Sequence, residues 1–214
     1  MSVVFDFRKD TIITLTSHLI ASDSRFPSFN DIIQPPGKEH YFFLAALAIQ
    51  LKGKHIIELG THTGDSAFVL AYANRAFNND NKITTFDIQL KPRTLVDYKN
   101  IEYRLENMFD KDNREKNRDF LLSSDLIFID IDPHEGLMEY DMYLWLKANK
   151  YRGLIVFDDI HLGRGHMGST RPHSMQEFWD KVDKNDKIDL TPVGHWSGTG
   201  LVYFSPEKYI FLLD

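Results

Sequence analysis

Apolar residues along this chain fall into two kinds of run, and their alternation predicts the architecture. His55–Leu59, Lys82–Asp87, Ile101–Leu105, Asp125–Ile131 and Gly153–Phe157 are short β-branched or aromatic stretches bounded by polar or glycine positions, the pattern of strands buried in a sheet. Between them, Glu39–Leu51, Asp65–Phe77 and Leu137–Asn149 carry apolar residues at helical spacing, a charged helix is expected around Lys111–Leu122, and Arg93–Lys99 reads as helix or irregular chain. Strand and helix alternate, which implies an α/β fold with a parallel sheet. After a loop rich in glycine and histidine, Ser174–Val182 is expected to be helical, and Val193–Trp196 with Gly200–Ser205 to form a final antiparallel pair. Tyr209–Leu213 is expected to pack back as an edge segment. Ahead of the alternation, Thr11–Ala21 predicts a helix, followed by a loop through Pro27 to the Pro35-Pro36-Gly37 break, so residues 1–37 read as a helical appendage to a catalytic core over 38–214.

Composition narrows the functional classes. A chain of 214 residues with 43% hydrophobic residues suffices for one well-buried domain, and no internal repeat or linker marks a second. The net charge of −6 argues against a broad basic footprint for nucleic acid or an anionic membrane. Without cysteine, neither a disulfide framework nor a thiolate metal site is possible. The N-terminus lacks a secretory apolar region and no run is long enough for a membrane span, so a soluble, cytoplasmic protein is expected.

The most informative stretch is Ile56-Ile57-Glu58-Leu59-Gly60-Thr61-His62-Thr63-Gly64-Asp65-Ser66, where a strand breaks into a glycine turn and then a helix. Open α/β sheets bind ligands at this carboxyl edge, and glycines let the turn approach a ligand closely. A phosphate-binding loop would end in Gly-Lys-Ser/Thr, and this one has no lysine. A dinucleotide fingerprint would need a third glycine, and Asp65 puts negative charge where pyrophosphate would sit. S-adenosylmethionine carries an ammonium and a sulfonium, so it tolerates Glu58 and Asp65 and fits the charges better. Asp87, at the end of the next strand, is placed to accept both ribose hydroxyls, while Asn107, Met108 and Phe109 follow the third strand as adenine neighbours.

Glu58-Leu59-Gly60-Thr61-x-Thr63-Gly64-x-Ser66, Phe86-Asp87, Phe128-Ile129-Asp130 and Gly153-Leu154-Ile155-Val156-Phe157-Asp158-Asp159 together resemble the class I S-adenosylmethionine-dependent methyltransferases, over roughly Lys38 to Phe204. Within that superfamily the chain resembles metal-dependent sugar O-methyltransferases, such as those that methylate macrolide deoxysugars. The resemblance implies a Rossmann-like, seven-stranded, mostly parallel sheet with helices on both faces and an antiparallel last strand. It also implies cofactor contacts at Glu58, Gly60, Thr61, Gly64, Ser66, Asp87, Asn107, Met108 and Asp130.

Asp130 and Asp132 end one strand and Asp158 and Asp159 the next, so a parallel sheet gathers four carboxylates at one edge. Such crowding favours a hard divalent cation, Mg²⁺ above all. The resemblance places metal ligands at Asp130, Asp158 and Asp159, with Asp132 structural. His134 and His161 are the candidate bases, with Asp130 at the reacting centre. Related sugar enzymes resemble Asp-Gly-Asp-His, whereas this chain reads Asp130-Ile131-Asp132-Pro133-His134, one residue longer; catechol-type relatives carry a lysine after the first aspartate, absent here. The loop from His161 to His173, with Arg164, His166 and Arg171, reads as a lid over a polar acceptor, and Trp196 beside His195 as a stacking platform or core filler. The expected partner is a carbohydrate or small-molecule acceptor, with a phenolic natural product as the alternative. The chain could equally be one part of a larger glycan-processing polypeptide or a homo-oligomer. A non-catalytic binding module is the rival from another class; its signature would be an eroded acidic edge.

Overall fold

The computed structural model describes residues 2–20, 38–89, 100–165 and 172–214. Strand β1 (Val3–Asp6) and helices α1 (Lys9–Ile20) and α2 (Lys38–Gln50) precede the glycine-turn strand β2 (His55–Leu59). Then follow α3 (Asp65–Ala76), β3 (Lys82–Asp87), β4 (Ile101–Leu105), α4 (Lys111–Lys116), α5 (Arg118–Leu122), β5 (Leu126–Ile129), α6 (Leu137–Ala148) and β6 (Leu154–Asp158). The chain closes with α7 (Met175–Lys181), β7 (Lys187–Asp189), β8 (Thr199–Tyr203) and β9 (Tyr209–Leu212).

Seven strands form one sheet in the order β4-β3-β2-β5-β6-β8-β7. Strands β2 to β6 are mutually parallel, and β8 runs antiparallel to both neighbours, so the reversed last strand expected from the sequence is present. The sheet order reverses direction between β2 and β5, and both neighbouring strand ends open onto the same edge, where such sheets bind ligands.

Side chains alternate across each strand and divide the core into two layers. Ile56, Phe128, Leu154, Val156 and Leu201 face α1, α2 and α3, while Ile57, Leu59, Ile127, Ile129, Phe157 and Val202 face α6 and α7. Both faces are covered, which is why the central strands read as continuous apolar runs. Helix α2 is apolar all round, and Phe43 through Ala48 are fully buried.

Three expectations need correction. The charged helix over Lys111–Leu122 breaks at Asn117 into α4 and α5. The strand pairing with Gly200–Ser205 is Lys187–Asp189, not Val193–Trp196, because the chain from Leu190 to Gly198 is a succession of tight turns closed by Gly194 N–H to Leu190 C=O and Gly198 N–H to His195 C=O. Tyr209–Leu212 joins β1 in a separate parallel pair instead of edging the main sheet. Arg93–Lys99, the proline break and residues 166–171 of the expected lid, including His166 and Arg171, lie outside the described residues.

Candidate active site

The glycine turn works by close approach. Gly60 has φ +105, and a Cβ there would lie 1.7 Å from the Asp130 carbonyl oxygen. Its N–H donates to Phe86 C=O at 2.9 Å, while Asp130 N–H donates to Leu59 C=O at 3.0 Å, so the ends of β2, β3 and β5 are tied together at this point. Gly64, also left-handed at φ 86, opens α3.

Glu58 lies beneath the turn, fully buried. Its two oxygens accept hydrogen bonds from Ser66 Oγ and Thr85 Oγ1, each at 2.5 Å, and Thr61 Oγ1 sits 2.5 Å from Thr85 Oγ1. Burial drives the Glu58 carboxyl up to about 7, against the pull of those two hydroxyls. Glu58, Thr61 and Ser66, expected as cofactor contacts, therefore brace the turn from below.

A cleft of about 510 Å³ opens above. Of the expected cofactor contacts, Gly60, Asp87, Asn107, Met108 and Asp130 line it, together with Phe109. Asp87 is fixed by the backbone: Oδ2 accepts from His62 N–H at 2.7 Å and Oδ1 from Gln89 N–H at 2.9 Å. Each oxygen keeps a second lone pair, so the carboxylate is pre-set to accept a pair of vicinal hydroxyls. Asn107 Oδ1 turns back to Phe109 N–H at 3.0 Å, and Met108 is buried, which shapes an apolar wall.

Asp130 and His134 also line the cleft, and around them the acidic residues divide into two groups. Asp130, His134 and Asp159 bring ligand-capable atoms within 4.8 Å of one another, with His134 Nδ1 3.2 Å from Asp159 Oδ2. Asp158 instead joins His40 and His195, again within 4.8 Å. The trio expected to share one cation is thus divided: Asp158 ends β6 and faces α2, while Asp159 takes φ +61. Burial, then Asp158, Asp159 and Glu58, hold the Asp130 carboxyl well above its usual range. Burial pushes Asp159 up as well, yet His195, Ser197 and His134 outweigh it and bring that carboxyl below its usual range. Burial disfavours a charged His195, but Asp158 and Asp159 raise the ring to about 10.

His134 lies in the cleft as expected, and so does Asp132. His161 does not: its Nε2 pairs with Asp189 Oδ2 at 2.8 Å, outside the cleft. The sequence reading missed His40 as part of the acidic cluster, and Tyr41, whose hydroxyl is raised by burial and by Asp65, Asp130, Glu58 and Asp158. It also missed His62 and Gln89, whose N–H groups aim Asp87.

Comparison with known proteins agrees with the fold. A family model described as a methyltransferase domain matches residues 57–160. No curated protein matches the chain in sequence. Among solved structures, cofactor-bound Rv0187 from MTB superposes with TM-score 0.61 at 18% identity, covering 91% of this chain and 95% of that one. The O-methyltransferase from Bacillus cereus in complex with SAH gives 0.55 at 17%, covering 92% of each chain. TomG from Streptomyces achromogenes, an O-methyltransferase involved in tomaymycin synthesis solved with SAM, gives 0.51 at 16%, covering 91% and 95%. Residues 57–160 thus match a methyltransferase domain, and the chain around them has the Rossmann-like fold shared by these methyltransferase structures.

Proposed function

We propose that this protein transfers the methyl group of S-adenosylmethionine to a hydroxyl of a carbohydrate acceptor, assisted by a divalent cation. The observation that carries the reading is one cleft lined by a ribose-ready Asp87 and by Asp130 and His134, whose potential metal-binding group Asp159 completes. Asp87 would hold the cofactor's ribose and the Gly60 turn would let its chain approach closely, with Asp130 and His134 left for the acceptor.

There His134 is oriented by Asp159 through Nδ1, which leaves Nε2 to take a proton. The acceptor oxygen attacks the methyl carbon, the carbon–sulfur bond breaks with its electrons left on the thioether, and the acceptor proton passes to His134 Nε2. Asp130 and Asp159 offer the hard oxygen donors a cation such as Mg²⁺ takes, and the raised Asp130 carboxyl marks excess negative charge that a cation would relieve. Such an ion would supply Lewis-acid polarisation of the acceptor hydroxyl. For the acceptor, Trp196 is 56% exposed with its ring 5.6 Å edge-on from His195, a flat face beside polar groups that suits a sugar ring better than a purely apolar phenol.

The test is methyl transfer from labelled S-adenosylmethionine to deoxysugar glycosides and, in parallel, to phenols. Turnover on the glycosides that EDTA abolishes and Mg²⁺ restores is the expected result; turnover on phenols alone would replace the acceptor class.

A further inference from the structure

The cation reading above uses only one of the two histidine–aspartate groups. Behind it, Asp158 Oδ1 lies 3.5 Å from His40 Nδ1 and 3.5 Å from His195 Nδ1. Asp158 and His40 are each 5% exposed, and Asp158 Oδ1 accepts no hydrogen bond from any described residue. A buried carboxylate oxygen without a hydrogen bond is expensive and calls for a partner.

The spacing identifies the kind of partner. At 3.5 Å the nitrogens are too far for a good N–H···O bond. The same separation is close to the edge, about 3.3 Å, of a tetrahedron whose ligands lie about 2.0–2.1 Å from its centre, the Zn–N and Zn–O distance. Two imidazole nitrogens with one carboxylate oxygen are a donor set for borderline ions, whereas Mg²⁺ and Ca²⁺ prefer oxygen alone. The surroundings orient the rings: His40 packs 5.5 Å from Phe128 and 5.2 Å from His195, centre to centre. Asp159 spans both groups, with Oδ1 3.4 Å from His195 Nδ1 and Oδ2 3.2 Å from His134 Nδ1.

We propose that His40, Asp158 and His195 hold a nitrogen-preferring divalent ion, Zn²⁺ or a neighbouring first-row ion, behind the oxygen-rich Asp130–Asp159 position. The ion would pin the His195–Gly198 turn to α2 and lower the negative charge at the acidic edge. Acceptor chemistry is not required for this site, so it stands or falls separately from the methyl-transfer reading. The alternative is an imidazolium at His195 whose Nδ1, 2.5 Å from Ser197 Oγ, is paired with both aspartates, and no metal.

The experiment strips the full chain with chelator and titrates it with Zn²⁺ and Mg²⁺ by calorimetry and with Co²⁺ by visible absorption. The proposal expects one Zn²⁺ per chain that millimolar Mg²⁺ does not displace, and intense Co²⁺ d–d bands of a four- or five-coordinate nitrogen-bearing site. His40→Gln and His195→Gln should each weaken Zn²⁺ binding at least ~10-fold to 100-fold, by analogy with the losses seen even for outer partners of metal ligands. Asp130→Asn should leave it within a few-fold. Weak, pale octahedral Co²⁺ absorption in the wild type would overturn the proposal whether or not the variants fold. So would Zn²⁺ binding that survives both histidine variants and is lost in Asp130→Asn. S-adenosylmethionine affinity, measured on the same stripped sample, reports on the methyl-transfer reading independently.

Discussion

At the scale of single residues, protonation and orientation separate the roles of the acidic groups. Glu58 carries its carboxyl at about 7 against an ordinary 4.5, so the folded state holds that proton more tightly than the unfolded chain. Its contribution to stability is complete below pH 4.5 and is lost as pH rises through 7, about 3 kcal/mol for a shift of this size. Glu58→Gln keeps an acceptor for the hydroxyls and removes the titration. Denaturant unfolding at pH 5 and pH 8 should therefore show a smaller loss of stability in the variant than in wild type; parallel losses would refute the assignment. In the proposed mechanism His134 takes the acceptor's proton and does not hold the cofactor. His134→Gln is expected to lower kcat by about 100-fold or more while leaving S-adenosylmethionine affinity within about twofold. An unchanged kcat would remove His134 from the reaction.

Among the elements, the glycine turn is the least tolerant. Gly60→Ala adds a Cβ against the Asp130 carbonyl at a φ of +105, which should cost about 3 kcal/mol or more, read as a shift of the urea midpoint. The turn was legible in the sequence because both glycines sit between a β-branched run and a helical pattern. His55–Leu59 and Lys82–Asp87 were legible to the residue for a related reason: β-branched and aromatic residues, Ile56-Ile57 and Ile83-Thr84-Thr85-Phe86, run together between polar ends. Val3–Asp6 gave no such signal, since Val3 and Val4 are exposed and its partner is Tyr209–Leu212 at the far end of the chain. Lys187–Asp189 is a three-residue strand at the sheet edge with little burial, so a more apolar neighbour, Val193–Trp196, looked the better strand. The pairing of His40 with His195 was invisible because only the sheet, by placing β8 beside β6, brings the turn before β8 against α2.

For the whole molecule, the sheet order does the assembling. The reversal between β2 and β5 opens the cleft, the parallel strands β2, β3, β5 and β6 deliver Gly60, Asp87, Asp130 and Asp158 to one edge, and β7 carries the chain back to that edge, from which antiparallel β8 leaves. Among the described residues no helix is long and apolar enough to cross a membrane. The pair β1–β9 closes the opposite layer, with Phe5 and Phe7 fully buried and Phe5, Phe7 and Phe211 in a stacked group. All of this converges on one claim, that the cleft over Asp87 is an S-adenosylmethionine site. The direct test is calorimetric titration of S-adenosylmethionine and S-adenosylhomocysteine into wild type and Asp87→Ala, with NAD as control. Because a charge-assisted hydrogen bond contributes about 1.5–3 kcal/mol, the variant should bind at least ~10-fold more weakly than a micromolar wild type, and NAD should not bind. Absence of S-adenosylmethionine binding, or equal binding by Asp87→Ala, would contradict the account.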